Sequence, residues 1–212
     1  MYGQFFILFG LILVGYYCNK KGYLPMETNK NVGNMVMRVT IPAMLITTIA
    51  SIEITDRVLK AFFFSAAGQA AMMILFGFLM RQYGRKRGLG SRLLPMIDLT
   101  TGSLNTGFIG LPVTMIFFGQ AGIIYMSAGV LALNLYLWSY GVYLISDKKA
   151  TGAAAIGKSF LQGAINPNCI SILLGLLLAV THTARFVPTV VLGFLTKVGD
   201  LSTPLSLIYI GA

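Results

Sequence analysis

Apolar residues in this chain neither alternate by twos nor trace a single helical stripe; they come in runs. Seven runs stand out, at residues 4–18, 39–52, 61–80, 99–118, 121–145, 165–180 and 195–212, and only the last holds charged residues, Lys197 and Asp200. A helix of about 20 residues crosses a hydrocarbon core of roughly 30 Å and satisfies its own backbone there. The ten-residue alternating strands of a membrane β-barrel are absent from the pattern. The runs therefore predict an all-α polytopic membrane protein. The first two are short, and Arg38 is expected to lengthen the second by snorkelling to the headgroups.

Composition agrees with the pattern. Hydrophobic residues make up 56% of the chain and charged residues 10%, with a mean hydropathy of +0.78, whereas a soluble domain carries about a quarter charged residues. A formal charge of +10 would suit a nucleic-acid partner if it lay along one face, but here it lies between the apolar runs. Membrane topology explains it instead, and no nucleic acid is expected. The loops after runs one, three and five hold Lys20, Lys21, Lys30, Arg38, Arg81, Arg85, Lys86, Arg87, Arg92, Lys148, Lys149 and Lys158, against Arg57, Lys60 and Arg185 on the other side. Short cytoplasmic loops collect such residues, so the N-terminus is expected outside a cell (plasma or inner) membrane. It turns hydrophobic at once without a basic region or cleavage site, which reads as a retained first span. The basic loop 81–92, punctuated by Gly84, Gly88 and Gly90, reads as a solvated hairpin near anionic lipid.

Chemistry concentrates in the fourth run, in the string Ser103-Leu104-Asn105-Thr106-Gly107-Phe108-Ile109-Gly110-Leu111-Pro112. Pro112 lacks an N–H and crowds the Phe108 carbonyl, while Gly107 and Gly110 loosen the backbone before it, so the helix is predicted to break at Pro112. A break at half depth leaves peptide groups that must face protein or a wet cavity. Proline favours the first position of a helix, so the second half would begin there with its positive dipole end at the midplane, an attractor of anions. Asn105 and Thr106 add an amide and a hydroxyl at the same depth, the arrangement of discontinuous transporter helices. A lone proline would more often mean a simple kink; the clustering of five such residues favours a binding site.

This string resembles the fourth-span motif of the auxin efflux carrier family of membrane transporters. Supporting positions are Arg38-Val39-Thr40-Ile41-Pro42, Asn166-Pro167 with Gly175, and Thr203-Pro204 through Gly211, in order along the chain. The resemblance implies a crossover, broken-helix fold of ten spans in two inverted five-helix repeats. Residues 1–150 would be the first repeat and 151–212 the start of an incomplete second one, making the chain part of a longer protein. It also implies an organic-anion substrate, auxin-like or a small carboxylic acid. Plant members of the family carry an acidic residue in the third span, and run 61–80 has none.

Other polar residues are weighed individually. Asn134, midway along the fifth run, reads equally as packing glue or as lining of the substrate path, and Gln69 in the third run reads as packing. Asp98 is placed at the start of the fourth helix as a cap, Lys197 and Asp200 as an interfacial ion pair, and His182 as a solvated loop residue. Cys18 and Cys169 read as small buried hydrophobes. With no CxxC, HExxH, P-loop or GxSxG, an enzyme is not expected.

These readings converge on a secondary transporter working by alternating access. Its substrate-binding residues would be Asn105, Thr106, Gly107, Gly110, Pro112 and Asn134, with N–H groups around Gly110 taking the substrate carboxylate. Its coupling ion would be a proton or sodium, and its partners the small organic anion, the lipid bilayer and, in a homodimer, a second copy. A carrier like the bile acid/sodium symporters and a non-transporting truncated membrane subunit or scaffold are the rival readings.

Overall fold

In the computed structural model, which describes residues 2–91, 93–145 and 165–212, every regular element is helical. Arg92, Lys148, Lys149, Lys158 and the repeat boundary at residue 150 lie outside the described residues. α1 is Tyr2–Lys20. α2 runs as one 25-residue span over Met26–Ala50, with a π turn at Val36–Thr40. α3 is Asp56–Lys86, begun by a Thr55 cap whose hydroxyl accepts from the Val58 N–H. α4 is Leu93–Gly102 and α5 is Leu111–Tyr136, entered through a π turn at Thr106–Gly110. A further π turn at Leu137–Gly141 leads into α6, Val142–Ile145. α7 is Pro167–Val180, α8 is Thr189–Asp200 and α9 is Ser202–Gly211.

α5 is two limbs rather than one rod. Gly119, at φ 63° and ψ −157°, turns the chain back, a conformation that glycine adopts without steric cost. The second limb returns along the first, so that Gly110 faces Met126 and Gly122 lies under Phe118 and Thr114. Among the described residues five stretches are long and apolar enough to cross a membrane, and α7 is a shorter apolar helix beside them. The chain is a polytopic, all-helical membrane protein.

The core sits around the second half of α2. Val36, Ile41, Met44, Leu45 and Ile49 are buried against Phe62 of α3, Leu111, Ile123, Ile124 and Ala128 of α5, and Ile172 of α7. α1 instead turns Phe5, Phe6, Ile7, Phe9 and Leu13 outward, as a helix does whose surroundings are hydrocarbon rather than water. Without a hydrophobic drive between helices in lipid, close association rests on small residues that let backbones meet. Gly15 and Gly211 lie at the contact of α1 with α9. A Cβ on Gly199 would fall 2.8 Å from the Met44 Cα, so α8 presses directly on α2.

Four sequence expectations change here, the first being the solvated basic loop 81–92: residues 81–86 belong to α3 and Arg81 enters an ion pair. Span two begins at Met26, not residue 39, because its first half is amphipathic; Arg38 lies inside the π turn at mid-helix and is not a snorkelling end residue. Asp98 is not a cap: α4 starts at Leu93, several residues before the start that hydropathy suggests, and places Asp98 within the helix, fully buried. There it receives Arg81 Nη1 at 3.4 Å and the Tyr140 hydroxyl at 2.9 Å, tying α3, α4 and the segment after α5 together. Arg81–Asp98 is the one ion pair among the described residues, so the expected Lys197–Asp200 pair does not form.

Candidate functional site

The fourth span is interrupted, but not at Pro112. α4 closes with the Ser103 N–H and hydroxyl both donating to the Leu99 carbonyl. The Thr106 N–H then donates to the Leu104 carbonyl at 2.8 Å across Asn105, whose φ −78° and ψ 69° are those of an inverse γ-turn. The Asn105 side-chain oxygen accepts the Phe108 N–H at 3.1 Å, capping the helix that restarts at Thr106. Asparagine both tolerates the turn and satisfies the new helix end, and it is the residue that makes the break.

Pro112 has a different task. Without its N–H the ordinary bond to the Phe108 carbonyl cannot form, and the chain answers with a π turn: Gly110 donates to the Asn105 carbonyl at 3.0 Å and Leu111 to that of Thr106. Gly107 and Gly110 keep ordinary negative φ, so they serve as close-packing points against Met37 and Met126 rather than as hinges.

Five of the expected site residues, Asn105, Thr106, Gly107, Gly110 and Pro112, share this stretch. Asn105 is exposed, Thr106 is buried with its hydroxyl unpartnered, and Pro112 is buried. Among the described residues the Gly107 N–H meets no acceptor, whereas that of Gly110 is taken. Asn134 is buried on the second limb of α5, where its amide donates to the Val130 carbonyl of its own helix at 2.8 Å. Phe108 stacks on Tyr209 of α9, with ring centroids 4.6 Å apart, and fixes the restart against the last helix. The Gln69 amide bonds Ser65 and the Tyr125 carbonyl, a bridge from α3 to α5.

Two features are not apparent from the sequence pattern. Lys30, Asn34 and Arg38, four apart along α2, form an exposed polar stripe, and Met37 beside Arg38 lies 3.4 Å from where a Gly107 Cβ would sit. The four-residue spacing is the signal that could have found it. The second feature is a cavity of about 340 Å³ between α2, the first limb of α5 and α8–α9, into which Asp200 faces. The hydropathy pattern sets Asp200 near a helix end; the span that carries it is Thr189–Gly211, which puts the carboxylate at its middle.

Comparison with known proteins bears on the whole chain. The family model described as a membrane transport protein matches residues 1–212. A transporter of uncharacterized function from Methanothermobacter thermautotrophicus is 24% identical over 204 residues, which is 95% of this chain. The chain spans 64% of that relative's length. An interrupted, capped span in an all-helical membrane fold and a family match from the first residue to the last lead to one statement: this chain belongs to the membrane transport protein family, the auxin efflux carrier family.

Proposed function

We propose that this chain forms the substrate-holding part of a secondary carrier that moves a small organic anion, such as a carboxylic acid, across a cell membrane by alternating access. The observation that carries the reading is the helix restart at Asn105 and Thr106. A helix beginning inside a span presents the positive end of its dipole, and here one N–H, that of Gly107, is without an acceptor among the described residues. The exposed Asn105 side chain keeps its amide N–H₂ for a ligand while its oxygen caps Phe108. Exposed cations, Lys30 and Arg38, lie on α2, the helix whose Met37 packs against Gly107, in keeping with an anionic cargo. In this proposal the N-terminus lies outside, the first five spans form one half of an inverted-repeat architecture, and Asn134 supports the second limb.

The test separates capping from substrate contact. Aspartate caps a helix about as well as asparagine, but it removes the amide donor and adds a negative charge. Vesicles carrying the full-length protein are expected to take up labelled carboxylic acids saturably, with Asn105→Asp folded yet at least about tenfold slower, the equivalent of one lost charged contact. Wild-type rates in Asn105→Asp, or no saturable uptake of any organic acid by the wild type, would overturn the proposal.

A further inference from the structure

The cavity of about 340 Å³ beside the interrupted span is lined on one side by Thr47 of α2 and Ser51 just after it, and on the other by Gln120, Thr196, Asp200 and Thr203. Its hydroxyls are oriented by the helices that carry them. Thr47 Oγ1 donates to the Ala43 carbonyl at 2.9 Å, Ser51 Oγ to the Thr48 carbonyl at 2.9 Å, and Thr196 Oγ1 to the Leu192 carbonyl at 2.8 Å. A hydroxyl has one proton and two lone pairs. With the proton spent on its own helix, each of these oxygens can offer the cavity only lone pairs.

Asp200 adds a full negative charge to that lining, and no Lys, Arg or His among the described residues stands in the wall, in a chain whose formal charge is +10. Among the described residues no cationic group lies within 4.0 Å of it. A carboxylate at the middle of a membrane span is costly and faces a wet cavity or a partner by necessity. Close packing of Gly199 on the Met44 backbone brings α8 against α2 and so sets Asp200 opposite Thr47.

From this geometry we infer that the cavity is a binding site for a monovalent alkali cation, held by Asp200 and by the lone pairs of Thr47, Ser51 and Thr196. One carboxylate matches one positive charge; calcium and magnesium sites draw on more oxygen ligands or on substrate phosphates. At about 30 Å³ per water the space admits roughly ten waters, so the ion keeps part of its hydration shell. The site lies further along the chain than Asn105, where α5 contributes Met115 and Gln120, and does not depend on the anionic cargo proposed above.

The test is binding of radioactive sodium to the full-length protein in detergent, with no organic acid present. Saturable binding displaced by unlabelled sodium but not by choline is expected for the wild type, falling to background in Asp200→Asn. Thr196→Val, which keeps the volume and removes one oxygen, should weaken sodium binding by about tenfold. Absence of displaceable binding in the wild type, or full binding by a folded Asp200→Asn, overturns the inference. If Asp200→Asn fails to fold, Thr196→Val decides, and an unchanged affinity there overturns it too. Because no acid is present, loss of sodium binding and loss of acid uptake are separate results.

Discussion

Two spans of this molecule contain the same local device and make opposite use of it. In α2 the π turn Val36–Thr40 precedes Ile41-Pro42, and in the fourth span the π turn Thr106–Gly110 precedes Leu111-Pro112. Each proline forfeits a hydrogen bond, and each widened turn lets the preceding N–H reach back five residues, Ile41 to Val36 and Leu111 to Thr106. α2 stays helical on both sides of its turn, and its second half is buried in the core. The fourth span, with Asn105 one residue before the turn, does not. Proline widens a membrane helix here; an asparagine in an inverse γ-turn, able to cap the helix that restarts beyond it, interrupts the span.

The clamp on α2 offers the largest effect. A Cβ at Gly199 meets the Met44 backbone, which cannot swing aside as a side-chain end could. Gly199→Val is expected to cost about 3 kcal/mol or prevent folding, read as loss of the monodisperse peak on heating in detergent. Gly107→Ala, beside the break, brings its new methyl to 3.4 Å from Met37 Sδ, an ordinary contact. It should cost less than about 1 kcal/mol in the same assay. Equal damage at both positions would erase the contrast between a clamped and an unclamped span.

An intermediate effect is expected at the cap. Asn105→Ala removes the acceptor of the Phe108 N–H and should cost about 1 kcal/mol locally. Hydrogen exchange at the Phe108 amide would then quicken roughly fivefold. Met35, the residue before the π turn of α2, makes no side-chain cap, and Met35→Ala should leave exchange in α2 unchanged.

The smallest effect is the sharpest on cause. Pro42→Ala and Pro112→Ala should each change stability by less than about 1 kcal/mol, since both prolines stand at the start of an α segment. In Pro112→Ala the amides of Thr106 and Gly107 should exchange as in the wild type. Their protection, as in a continuous helix from Leu99 onward, would return responsibility for the break to the proline.

The sequence alone determined that this chain lives in a membrane, roughly where it crosses, and which span carries the interruption, because hydrophobicity, helix length and the Asn-Thr-Gly…Gly-Leu-Pro cluster are properties of short stretches. Even there the pattern points to Pro112 for the break, since proline and glycine advertise irregularity in a helix while the capping by Asn105 shows only once the Phe108 N–H is seen to reach it. Where Asp98 goes, that Lys197 does not meet Asp200, and what surrounds Asp200 were all decided by tertiary structure. The reason is distance along the chain. Asp98 finds Arg81 on another helix, and Asp200 finds Thr47 because Gly199 lets two backbones touch, and no local pattern encodes the meeting of segments so far apart.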